Sequence, residues 1–144
     1  MLSLRELICA YLLCISLFAA IAQTPQSTRR ALHELYESTG GANWNYEGIA
    51  DWSYVTGKPW NFTTNATGEY VVDPCSNESY FIGISCASDF STVTEIHLAC
   101  GNLTGTIPEL STLTLLYQLD LEENQLTGTI PEFSTLTQLQ YLLL

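Results

Sequence analysis

His97 and Asp120 stand 23 residues apart, an interval equal to the period of the repeat that runs through residues 93–144. Stacked turns of that period would place a potential general base beside a carboxylate able to orient it. Acid-base chemistry by such a pair also needs a nucleophile or a metal ligand within hydrogen-bond reach. The sequence supplies no Gly-x-Ser-x-Gly elbow, no supported Cys and His dyad, no phosphate loop and no metal cluster. A lone His next to an Asp on a strand is then a surface pair. The chain reads as non-enzymatic, with no cofactor.

The other reactive side chains are five cysteines. Cys9 and Cys14 lie in an apolar N-terminal run, and Cys75, Cys86 and Cys100 follow it. No second Cys pair or His cluster sits at zinc-ligand spacing, so no metal site is expected. Cys100 is the odd one: a partner for another chain, a free thiol, or a small side chain that happens to be sulfur. Four sequons add acceptors for glycans: Asn61-Phe-Thr63, Asn65-Ala-Thr67, Asn77-Glu-Ser79 and Asn102-Leu-Thr104. The first three fall in polar loops. Glycosylation of Asn102, in a turn region, would mean that its side chain points outward.

The elements that must position these groups follow from one recurrence. Leu103-Thr-Gly-Thr-Ile-Pro108 returns unchanged as Leu126-Thr-Gly-Thr-Ile-Pro131, 23 residues on. The same shift pairs Val93 with Leu116 and Leu139, Ile96 with Leu119 and Leu142, and Leu98 with Leu121 and Leu144. Leu103 pairs with Leu126, Leu110 with Phe133, and Leu113 with Leu136, so apolar positions map onto apolar ones. Self-similarity at such a period marks turns of chain that stack on one another. Within one turn, Leu116-x-x-Leu119-x-Leu121-x-x-Asn124-x-Leu126 alternates with period two, which needs a short strand. An Asn just after that strand can satisfy backbone groups buried between stacked turns. The Pro after Ile then sets an extended return path.

These residues resemble the plant-type leucine-rich repeat, which couples a leucine and asparagine ladder to a Leu-Thr-Gly-x-Ile-Pro segment. The resemblance implies an α/β solenoid whose strands form a parallel sheet on a concave face. Two departures are visible: the repeat is one residue shorter than is usual, and Gly101 stands in the register of Asn124, with Asn102 one place late. Side chains exposed on the concave face would line up in columns at the repeat spacing, about 4.8 Å apart. The columns are Glu95, Gln118 and Tyr141; His97, Asp120 and Leu143; and Ala99 with Glu122. The candidate ligand-binding residues are therefore Glu95, His97, Gln118, Asp120, Glu122 and Tyr141. A solvated strand face has the same composition.

The run from Ala31 to Trp44, followed by Cys75 and Cys86, looks like the N-terminal cap of extracellular leucine-rich repeats. That likeness implies a Cys75–Cys86 disulfide. Such caps usually carry Trp where Phe81 stands and fewer residues between their cysteines. Residues 27–38 read as a helix, with Ala31, Leu32, Leu35 and Tyr36 on one face, Ser27 or Thr28 able to cap its start, and Gly40-Gly41 ending it. It is too short to stand alone and must pack on the apolar edge of the first repeat. Trp44, Trp52 and Trp60 follow in a polar Gly- and Asn-rich stretch. The insert around residues 54–70 and the loop 76–79 carry no pattern that sets their shape.

The N-terminus reads as an address. Leu7 to Ala22 is apolar, bounded by Arg5-Glu6 and Gln23, and Ala20-Ile-Ala22 has the small residues a signal peptidase favours, so cleavage is expected after Ala22. A retained anchor is the alternative, although the run is shorter than a spanning helix prefers. The expected organisation is a leader over residues 1–22, a cap over 23–92 and about two and a half repeats over 93–144. Leu142-Leu143-Leu144 stops inside the third strand, so a longer natural protein is expected.

The formal charge is −11, and beyond the leader only Arg29, Arg30 and Lys58 are basic. This field opposes nucleic acid and anionic membranes, favours basic peptides, polyamines or divalent cations, and also keeps secreted proteins apart in solution. The expectation is a secreted or cell-surface module that recognises a protein, peptide or glycan, part of a receptor-like or inhibitor-like protein. The alternative is an adhesive matrix protein without a defined ligand.

Overall fold

The computed structural model describes residues 23–53, 57–76 and 80–144. The expected leader with Cys9 and Cys14, and the sequon at Asn77, lie outside them. The fold is mixed α/β and is closed by one disulfide, Cys75–Cys86, with Cα atoms 5.8 Å apart.

Helix α1 spans Gln26–Ser38. It buries Ala31, Leu32 and Leu35, while Tyr36 is half-buried. Neither Ser27 nor Thr28 caps it. The helix starts a residue earlier than expected, so both lie inside the first turn, and Thr28 is buried; Pro25 holds the N-cap position without a side-chain bond. The Thr39 N–H closes the last turn on the Leu35 carbonyl, and Gly40 then enters the left-handed region at φ +72°.

A second helix, α2 at Tyr46–Ser53, arises where the sequence read as polar loop. Asn45 caps it by accepting the Gly48 N–H at 3.1 Å, the N-cap geometry that Asn favours. Ile49, fully buried, anchors it. It follows a 3-10 turn at Gly41–Asn43.

The main sheet has the order β1-β2-β4-β6. Strand β1 (Ile84–Cys86) runs antiparallel to β2 (Val93–His97), whereas β2, β4 (Gln118–Asp120) and β6 (Tyr141–Leu143) are mutually parallel. Glu95 stands opposite Gln118 and Gln118 opposite Tyr141, so the sheet keeps the sequence period. Strands β3 (Thr104–Thr106) and β5 (Gln125–Thr127) pair separately. There Thr104 faces Gln125 rather than its sequence equivalent Thr127. A slip of two residues keeps each side chain on its own face, whereas a slip of one would invert the strand.

Val93, Ile96, Leu98, Leu116, Leu119 and Leu121 line the inner side of the main sheet, each at most 1% exposed. Each such side chain contributes about 1.5–3 kcal/mol of transfer free energy. In the third turn Leu142 is 41% exposed, because β6 is an edge strand of this sheet.

Asn124 performs the bridging the sequence suggests. Its Nδ2 donates to the carbonyls of Leu98 (2.9 Å), Leu121 (2.9 Å) and Glu122 (3.0 Å), and its Oδ1 accepts the Leu103 N–H at 2.9 Å. The turn before it is built differently. A Cβ on Gly101 would lie 2.5 Å from Leu103 Cδ1 and 3.0 Å from Ile49 Cδ1. Helix α2 fills the space a ladder Asn would need, and Asn45 donates its N–H to the Gly101 carbonyl at 2.8 Å.

Trp60 and Phe62 pack against α1 and the segment around Phe81. Trp60 stacks on Phe81 with centroids 5.4 Å apart, donates Nε1–H to the Ile82 carbonyl at 2.8 Å, and meets Trp44 edge-on. Phe62 sits between Phe81 and His33, with centroids at 5.5 and 4.7 Å.

Candidate ligand-binding face

The outer side of the main sheet follows from strand alternation. Burial of Ile96 and Leu119 turns Glu95, His97, Gln118 and Asp120 outward, each half-buried. The register places Glu95, Gln118 and Tyr141 in one row and His97, Asp120 and Leu143 in the next. Glu122 lies just beyond β4, half-buried, and donates its N–H to Asp120 Oδ1 at 3.2 Å.

Two expectations are corrected here. Ala99 is not on the exposed face: at 5% exposure it is buried, as is the adjacent Leu98. The alternation ends with β2 at His97, so parity no longer predicts burial beyond it. Nor does His97 pair with Asp120. Its Nε2 lies 3.1 Å from Glu95 Oε2, two residues away on the same strand face. The longer Glu95 side chain reaches the ring, whereas the short Asp120 carboxylate turns back to the Glu122 N–H.

Tyr117 joins the face although the pattern did not single it out. Its ring meets Tyr141 edge-on, with centroids 5.2 Å apart. A side-chain hydrogen bond to Tyr141 pushes the Tyr117 phenol above its ordinary value, and the Glu95 carboxylate adds to this. Tyr117 precedes β4 by one residue, outside the strict alternation. The repeat period gave no signal for it, because its equivalent 23 residues on is Gln140 and Tyr141 is the equivalent of Gln118. Together these residues offer carboxylate acceptors, a histidine and two phenol rings on one outer face. Such a surface can hydrogen-bond amide or hydroxyl groups and pack against a flat apolar one.

Of the sequons, Asn61 and Asn65 are exposed, each accepting the N–H and hydroxyl of the Thr two residues on. Asn102 also points outward and does no ladder work. It donates to the Asn43 carbonyl at 3.2 Å and accepts from Gln125 Nε2 at 2.9 Å. Cys100 is half-buried and free. Among the described residues no helix is long and apolar enough to cross a membrane.

No protein-family model and no curated protein matches the chain. Among solved structures it is similar to the crystal structure of a pollen receptor kinase 3, at 30% identity over 69% of this chain and 46% of that one, with a TM-score of 0.45. The chain therefore spans less than half of that structure's length.

Proposed function

We propose that the protein is a non-catalytic recognition module of leucine-rich-repeat type, carried to the cell exterior by residues 1–22 and binding a protein, peptide or glycan through the outer face of the main sheet. One observation carries this reading: the polar and aromatic side chains at positions 95, 97, 118, 120 and 141 share one face in register, with Tyr117 packed against Tyr141, over a backbone of buried aliphatic residues. A rigid sheet presenting such rows fixes the spacing of its contacts, which lowers the ordering cost of binding. The Cys75–Cys86 disulfide and the acidic balance agree with an oxidising, extracellular setting.

The test is to produce the full chain through a eukaryotic secretory route and screen it on peptide and glycan arrays. A captured ligand should lose about tenfold or more in affinity with the Tyr117→Ala/Tyr141→Ala double variant, because buried aromatics dominate recognition surfaces. Thr104→Ser and Thr127→Ser, in the second sheet, should bind unchanged. A ligand indifferent to the tyrosines but sensitive to the second sheet would overturn the proposal, as would capture of nothing by a folded chain.

A further inference from the structure

The chain is anchored from Thr24 onward, and Gln23 is not. Thr24 is 2% exposed, its N–H donates to Asp73 Oδ2 at 3.0 Å and its hydroxyl to Asp73 Oδ1 at 2.6 Å. Asp73 is itself held by Arg29 Nη2 at 3.0 Å and by the Cys75 N–H at 3.0 Å, so the anchor reaches the disulfide. Gln23 is exposed, and among the described residues neither its carboxamide nor its backbone N–H makes a hydrogen bond. Among the described residues, Gln23 is thus free and Thr24, its neighbour, is fixed.

We infer that Gln23 is a modification site, where the N-terminal glutamine of the mature chain cyclises to pyroglutamate. The inference rests on the secretory reading above, in which the leader is cut after Ala22. That cut frees the Gln23 α-amine next to an unengaged carboxamide. The amine nitrogen attacks Cδ, the N–Cδ bond forms, and the Cδ–Nε2 bond breaks. The amine's proton passes to the departing nitrogen, which leaves as ammonia, so the step needs no oxidant and no co-reactant. The product is a neutral five-membered lactam, and the terminal positive charge is lost.

The fold favours this outcome in two ways. Ring closure does not touch the Gln23–Thr24 amide, so the Thr24 N–H keeps its bond to Asp73. The same bond shields that amide from trimming, because an aminopeptidase would have to draw buried Thr24 off Asp73 before it could remove Gln23. Gln23 therefore remains the terminal residue and stays free to cyclise.

The experiment is mass spectrometry of the N-terminal peptide from the full chain secreted by a eukaryotic host, with stepwise N-terminal degradation alongside. The expected result is a peptide that begins at position 23, is lighter by one ammonia than its glutamine form, and resists degradation until pyroglutamyl aminopeptidase is added. The Gln23→Ala variant should begin at the same position with a free amine. A free-amine Gln23 in the parent chain would overturn the cyclisation and leave the secretory reading standing, and a blocked Gln23→Ala terminus would do the same. A peptide beginning elsewhere, or a retained leader, would overturn both.

Discussion

The Oδ1 of Asn124 accepts the backbone N–H of Leu103 at 2.9 Å, joining one turn of the chain to the next. The same amide donates to carbonyls on both turns, including that of Leu98, so one side chain satisfies backbone groups from two stacked layers. An unmet buried donor or acceptor costs about 1–3 kcal/mol.

Asn124→Ala should therefore destabilise the fold by about 2–3 kcal/mol, discounted from the full penalty because the site is half-buried. Urea unfolding should show a lower midpoint at an unchanged slope. Asn102→Ala, which removes only exposed bonds, should cost under about 1 kcal/mol.

The seam between α1 and β3 depends on Gly105, at φ +85°, where an added Cβ would collide with the Ser38 carbonyl oxygen. Gly105→Ala combines that backbone clash with left-handed strain and should cost about 3 kcal/mol or more. Gly68→Ala is the control, at φ +81° with open space around it, and should cost only the strain, about 1–2 kcal/mol. Equal melting temperatures for the two variants would show that the seam does not hold the helix.

Arg29 and Asp73 form a buried pair at 3.0 Å, with side chains 4% and 11% exposed. Removing one partner leaves an uncompensated charge, so Asp73→Ala should lose about 3–5 kcal/mol. The Arg29→Met/Asp73→Leu double variant should recover part of that loss, because no buried charge remains. Urea denaturation of the parent, the single variant and the double variant measures the difference.

Burial pushes the Tyr46 phenol from 10.0 up to about 12, against the opposing hydrogen bond it accepts from the Trp60 N–H. The unfolded chain releases this proton first. The stability tied to it is thus intact below pH 10, falls as pH rises from 10 towards 12, and is gone above that range. Melting temperatures measured across this window should drop more steeply in the parent than in Tyr46→Phe. Parallel slopes would remove Tyr46 from the account of alkaline unfolding.

The repeat made much of the architecture legible in advance. Leu119 and Ile96 could be placed inward, and Gln118 and Glu95 outward, because a strand alternates with period two and the copies share one register. Asn124 could be given its bridging role because buried backbone must be paired wherever it lies. Helix α1 showed through its apolar face. Helix α2 did not, since it owes its place to the Asn45 N–H bond to the Gly101 carbonyl and to Ile49 packing near Gly101, contacts made across distant sequence.

The sequence alone determined the period, most of the inward aliphatic positions and two of the three rows of the outer face, because these depend on local periodicity repeated at constant spacing. Tertiary structure decided the rest. It chose Glu95 over Asp120 as the partner of His97, through side-chain reach, and brought Tyr117 against Tyr141. It returned Trp60 onto Phe81 across the insert, and it gave the place of a ladder Asn at Gly101 to α2. The last three depend on which remote segment occupies a given volume, and close packing settles that only when the whole chain has folded.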